Sequence, residues 1–235
     1  QPGTGPYALA GSSEAYRHTT GAPMRVVVID YNGGNLASAA QAARKAASLS
    51  DISADVTITR DADAILNADR LILPGQGAFA DCAAGLGADL RSTLETATAN
   101  GTPFLGICVG MQLMCEYGLE HGRTEGLGWS PGHIRRMDEA ADAGLRLPHM
   151  GWNTLDFEPG AHLLTKGLTP GMHGYFVHSY ALHDGAADDL VASANYGAQV
   201  PAIVARGNRC GTQFHVEKSQ SVGLTIMGNF LRWEK

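Results

Sequence analysis

RVVVIDYNGGNLASAAQAARKAASL (Arg25–Leu49) decides the fold class. Its opening run, Arg25–Asp30, is short, apolar and β-branched, as expected of a strand buried on both faces of a parallel sheet. Tyr31-Asn32-Gly33-Gly34 then reads as a turn. Asn35–Leu49 follows, rich in alanine, with apolar residues at helical spacing. Strand, turn and helix in that order begin a βα unit.

The alternation continues outward from this unit. Val56–Thr59 and Leu71–Leu73 read as further strands, and Pro74-Gly75-Gln76-Gly77 breaks the chain after the second. Asp81–Ala99 reads as one helix and Pro103–Ile107 as another strand. Cys108 stands at the junction with a helix predicted to run to about Tyr117. Alternating strands and helices specify an α/β sheet with parallel strands. The second half changes character. Ile134–Met137, Trp152–Phe157, Tyr175–Tyr180, Leu190–Asn195, Ala202–Arg206 and Cys210–Phe214 are strand-like segments between turns, predicted to add mixed or antiparallel strands to the sheet. Ser221–Trp233 reads as a closing helix. The chain shows no internal repeat and no second domain.

Residues 1–23 are rich in Gly, Ser, Thr and Pro and lack the charged and apolar regions of a signal peptide. They are read as a flexible extension, with one domain over residues 24–235. Hydrophobic residues make up 44% and charged residues 17% of the chain, enough for a sizeable core. A net charge of −6 argues against a nucleic-acid binder. No apolar run approaches the roughly 20 residues needed to span a bilayer. Four cysteines without a CxxC fit a reduced, cytoplasmic enzyme better than a disulfide scaffold or zinc ribbon.

Gly106-Ile107-Cys108-Val109-Gly110 has the G-x-nucleophile-x-G form of a strand-to-helix elbow. Small residues on both sides keep the approach clear, and a helix N-terminus favours thiolate over thiol. Free cysteine is commonly just a small buried hydrophobe; the flanking glycines and the preceding strand favour the reactive reading here. Cys82, Cys115 and Cys210 lack this setting and are read as structural. A thiol nucleophile needs a base, and the base needs a group to fix its tautomer. In Gly211–Glu217, His215 ends a strand and Glu217 follows two residues later. The chain holds nine histidines, so spacing alone leaves the base open. No HxH or HExxH spacing suggests a metal.

The elbow GICVGMQ (Gly106–Gln112), the loop LPGQGAF (Leu73–Phe79) and the segment QFHVEKS (Gln213–Ser219) resemble those of class I, triad-type glutamine amidotransferases. PHMGWN (Pro148–Asn153), YFVHSY (Tyr175–Tyr180) and NGGNL (Asn32–Leu36) narrow the resemblance to the glutaminase subunits of imidazole glycerol phosphate synthases. It runs from about Met24 to the C-terminus. It implies a flavodoxin-like mixed sheet flanked by helices. It also implies attack of Cys108 on the side-chain amide of glutamine, with His215 moving protons and Glu217 orienting it. A glutamyl thioester would form, and ammonia would pass to a cyclase partner subunit in histidine biosynthesis. By the same resemblance, the backbone N–H groups of Gln76 and Val109 form the oxyanion hole. Gly75, Gly77, Gln112, Glu120, Ser179 and Tyr180 bind glutamine, and Lys218 and Trp152 face the partner. No cofactor, metal, nucleic acid or membrane is implied.

Two positions depart from the family pattern. Val216 stands where proline is usual after the histidine, and Gln76 where a small aliphatic is usual in the PGxG loop. Neither removes a reacting atom. They are the support for a catalytically silent binding subunit as the alternative from another class. Another glutaminase, such as that of anthranilate or aminodeoxychorismate synthesis, is disfavoured by PHMGWN. A cysteine hydrolase without a partner leaves Gln213–Ser219 unexplained.

Overall fold

β1 (Met24–Ile29) is buried at every position but Arg25, as its apolar run demands. In this computed structural model residues 21–234 are described; the extension assigned to residues 1–23 lies, up to residue 20, outside them. α1 (Leu36–Leu49) starts at Asn35, whose side-chain oxygen accepts the Ser38 N–H at 3.2 Å and so satisfies one of the first turn's free donors. Its buried face is alanine (Ala39, Ala40, Ala43, Ala46, Ala47). β2 (Ala54–Thr59) is followed by a short helix not expected from the sequence, α2 (Ala62–Leu66), capped by the Asp61 carboxylate on Ala64 N–H at 2.8 Å. β3 (Arg70–Gly75) runs through Pro74 to Gly75, two residues beyond the predicted strand.

α3 (Phe79–Ala99) replaces the single straight helix expected over Asp81–Ala99. Gly87 takes φ 63° and ψ 176°, which breaks the helix into two segments; only glycine adopts this conformation without strain. β4 (Phe104–Cys108) is buried throughout. The helix predicted from there to Tyr117 is only α4 (Val109–Gln112). The carbonyls of Leu113, Met114 and Cys115 accept instead from the backbone of Leu127, of Trp129 and Ser130, and of Gly128. That distant loop thus ties this stretch into tertiary hydrogen bonds in place of a longer helix. Tyr117 itself lies in a strand.

The remaining elements are β5 (Tyr117–Gly118), β6 (Thr124–Glu125), β7 (His133–Arg136), α5 (Asp138–Asp142), β8 (His149–Thr154), β9 (His173–His178), β10 (Tyr180–His183), β11 (Leu190–Asn195), β12 (Gln199–Arg206), β13 (Arg209–Thr212) and α6 (Gln220–Leu231). The main sheet has seven strands in the order β11-β12-β13-β4-β3-β1-β2. Its β2, β1, β3, β4 and β13 run parallel, and β12 and β11 add an antiparallel edge. The other predicted strands do not join it. β10-β7-β5-β6 form a separate four-stranded sheet, and β8-β9 an antiparallel pair. Period-2 patterning marks strands but not their partners, so this partition was not available from the sequence. α1 packs on the main sheet and against α6. Among the described residues no helix is long and apolar enough to cross a membrane.

Parallel order matters for the site. Gly75 in β3 is level with Cys108 in β4, and Thr212 in β13 with Ile107. Three adjacent strands therefore end at one edge, where ligands of open α/β sheets bind.

Candidate active site

Cys108 has φ 54° and ψ −112°, an outlier for a residue with a side chain. The elbow is possible because its glycines allow backbone to touch backbone. A Cβ on Gly106 would lie 2.4 Å from the Gly110 carbonyl oxygen, and one on Gly110 would lie 1.8 Å from that of Leu73. Neither neighbour is a flexible side chain. Gly110→Ala is accordingly expected to cost about 3 kcal/mol, at the upper end of overpacking effects. A chemical denaturation curve with the parent's midpoint would show that the elbow is not packed in this way.

His215 follows β13 and is held through its backbone. Its N–H donates to the Tyr175 carbonyl at 2.9 Å, and its carbonyl accepts the Ser219 hydroxyl at 2.6 Å. Ser219 in turn accepts the Tyr175 N–H at 2.9 Å. His215 Nδ1–H donates to Glu217 Oε1 at 2.7 Å, with both side chains almost wholly buried. That bond fixes the tautomer and leaves Nε2 for the thiol. Burial disfavours the imidazolium, but hydrogen bonds and charge interactions with Cys108 and Glu217 outweigh it and push the His215 pKa up to about 9. Val216, where the family pattern has proline, is buried in the core and opens a 3-10 turn, Val216–Lys218. Burial pushes the thiols of Cys82, Cys115 and Cys210 up, which keeps them protonated at neutral pH.

Cys108 and His215 open into a cavity of about 580 Å³. Gln76 and Gly77 form one wall, Val109 and Gln112 the floor beside the elbow, and Glu120, Ser179, Tyr180 and Lys218 further parts of the lining. Gly75 is not in the lining. It lies behind, where a Cβ would meet Gly110 N at 2.4 Å. Trp152 is also outside the lining; it stands on β8, 48% exposed, beside Met150 at 62%, and these two residues form an apolar outer face of the β8-β9 pair.

Several contacts were not foreseen. Glu120 Oε2 accepts the Phe79 N–H at 3.0 Å and caps α3, whose own N-cap residue, Ala78, offers no side-chain acceptor. The Pro74–Gly77 loop is pinned from below: Tyr31 donates to the Pro74 carbonyl at 2.5 Å and Cys82 to that of Gln76 at 3.3 Å. His178, on the cavity wall, donates from Nδ1 to the Tyr180 carbonyl at 2.8 Å, so its Nε2 accepts from His149 Nδ1–H at 3.0 Å. Burial lowers the pKa of His149 to about 4 and that of His178 to about 3, so both are neutral. Their segments were legible as motifs, but the pairing across β8-β9 was not. Gln213 stood in a quoted motif without a role; the structure puts it beside Cys108.

An elbow thiol facing a carboxylate-held imidazole at the edge of a parallel sheet defines a cysteine-dependent acyl-transfer enzyme. The chain matches the family described as Glutamine amidotransferase class-I over residues 27–232. It is 86% identical over 210 residues, 89% of this chain and 99% of the relative, to imidazole glycerol phosphate synthase subunit HisH of Gluconobacter oxydans (strain 621H). It is 53% identical to the subunit of that name from Granulibacter bethesdensis, over 89% of this chain and 96% of the relative. Solved structures share the fold at low identity. PurLQS from Thermotoga maritima has a TM-score of 0.61 at 17% identity, covering 89% of this chain and 98% of that one. The chain belongs to the class I glutamine amidotransferases and, within them, to the HisH subunits of imidazole glycerol phosphate synthase.

Proposed function

We propose that this chain is the glutaminase half of a cytoplasmic heterodimer that makes imidazole glycerol phosphate for histidine biosynthesis. Cys108, His215 and Glu217 release ammonia from glutamine for the cyclase subunit. The observation that carries this reading is the buried His215–Glu217 pair beside an elbow thiol at the cavity. The Cys108 thiolate attacks the side-chain carbonyl carbon of glutamine, forming a C–S bond and an oxyanion. Backbone N–H groups of Val109 and Gln76 are assigned to that oxyanion, where charge develops in the transition state. The His215 imidazolium gives its proton to the amide nitrogen, the C–N bond breaks and ammonia leaves a glutamyl thioester. Water then attacks, His215 takes its proton, and the thiolate departs from glutamate. Gln112, Glu120, Ser179 and Tyr180 are assigned to glutamine. Both N–H donors of Gln112 are already engaged, so it can offer only its oxygen. Gly75 serves the site by letting the loop approach the elbow, and Gly77, at φ 87°, by turning the loop along the cavity wall.

Met150 and Trp152, with the exposed Lys218 at the cavity rim, are assigned to the cyclase interface. Glutamate release is expected to be slow for the chain alone and to rise roughly ten-fold or more with the cyclase and its nucleotide ligand bound. Full activity alone, unchanged by the cyclase, would overturn the subunit assignment. Activation that survives Lys218→Ala, with ammonia transfer intact, would remove only the role of that lysine.

A further inference from the structure

Gln213 is wholly buried, and its carboxamide lies against the nucleophile: Nε2 is 3.7 Å from Cys108 Sγ. Among the described residues that sulfur is the hydrogen-bond partner of its NH2 group. The hydrogen-bond network decides which end of the carboxamide faces the sulfur. The Tyr180 carbonyl can only accept. Gln112 must therefore turn its NH2 group toward it, at 3.1 Å. The same NH2 group donates its second hydrogen to Gln213 Oε1 at 3.0 Å. Gln213 Oε1 is thereby held away from the sulfur, and an N–H is left facing it. The Tyr180 carbonyl is itself held by His178 Nδ1–H at 2.8 Å, so the chain of assignments is anchored at its far end.

We infer that Gln213 is a further catalytic residue, a fixed N–H donor that stabilises the Cys108 thiolate, with Gln112 and the Tyr180 carbonyl setting its orientation. A buried carboxamide could simply satisfy Gln112. An acceptor alone would do that, however, whereas this geometry also aims a donor at the reacting atom. Donation to an anion is stronger than to a neutral thiol, so the bond gains strength as the thiolate forms. The same N–H would hold the thiolate as it leaves the thioester. Other titratable or charged groups surround Cys108: His215 faces it with Glu217 behind, Tyr31 and Cys82 lie behind the Pro74–Gly77 loop, and His178, Tyr180, Glu120 and Lys218 line the cavity.

The inference rests on the proposed role of Cys108, but its test needs neither glutamine nor the cyclase. The probe is iodoacetamide, and the readout is the rate of Cys108 alkylation against pH, resolved by peptide mapping. Gln213→Glu keeps the shape and replaces the donor by an acceptor. It is expected to slow alkylation at neutral pH about ten-fold or more, the size of a hydrogen bond to a charged group. The deficit should close in alkali, where the thiol ionises regardless. Gln213→Met, nearly isosteric and apolar, should show a smaller loss of the same form. Gln112→Met frees Gln213 to turn and should move the profile in the same direction, which keeps the inference testable if a Gln213 variant fails to fold. A folded Gln213→Glu or Gln213→Met chain with the parent's alkylation profile would reduce Gln213 to core packing. Loss of glutamine turnover with an unchanged profile would also overturn the inference while leaving the glutaminase reading intact.

Discussion

Cys108→Ala is expected to lower glutamate release from glutamine by at least about four orders of magnitude, as loss of a covalent nucleophile does. The fold should survive, because the change removes one sulfur from a packed elbow whose geometry is set by Gly106 and Gly110. A glutamine analogue with an electrophilic side chain should label Cys108 in the parent and leave Cys82, Cys115 and Cys210 unlabelled. Those three are buried with their thiols held protonated, and none lines the wall beside His215 in the manner of Cys108. The variant should also change its neighbour. Interactions with Cys108 are among those that hold the His215 pKa near 9, so an NMR titration of Cys108→Ala should find the imidazole at a lower value. Labelling of another cysteine, with turnover kept, would sink the assignment of the nucleophile.

His215→Asn is expected to cost about three orders of magnitude or more in turnover. Asparagine can neither take the thiol proton nor protonate the leaving nitrogen. Its effect on stability has a defined sign. The folded pKa of about 9 lies above the ordinary histidine value of 6.5, so the native state binds the proton more tightly than the unfolded chain. The stabilisation is full below about pH 6.5 and is lost as pH rises through about 9. The parent's unfolding free energy should therefore fall over that window relative to the variant's, and the difference should be read from denaturation curves at several pH values. Near-normal turnover of His215→Asn would move the role of base elsewhere. His178 is poorly suited to take it, since both its nitrogens are engaged and burial, which lowers its pKa to about 3, makes it a weak base.

The short-range features of this protein were decided by sequence. Val26–Ile29 had to be a buried strand, because four consecutive apolar residues with little else to recommend them find cover only inside a parallel sheet. Asn35 capped a helix because its side chain can reach a nearby N–H without tertiary help. The elbow was legible for a similar reason: a left-handed cysteine between two backbone contacts requires glycine at both, and Gly106 and Gly110 announce it. Whatever depended on which distant segments meet was left to the tertiary structure. α4 stops at Gln112 and the carbonyls of Leu113, Met114 and Cys115 go to residues 127–130, a long-range pairing that no local pattern carries. The strands of the second half divide among three sheets because alternation identifies a strand's buried face and says nothing of its partner. The pairing of His215 with Glu217 is local and could be read. The orientation of Gln213 toward Cys108 could not, because it follows from a carbonyl at Tyr180 and an amide at Gln112, brought together only when β4, β13 and the β9-β10 junction pack around one cavity.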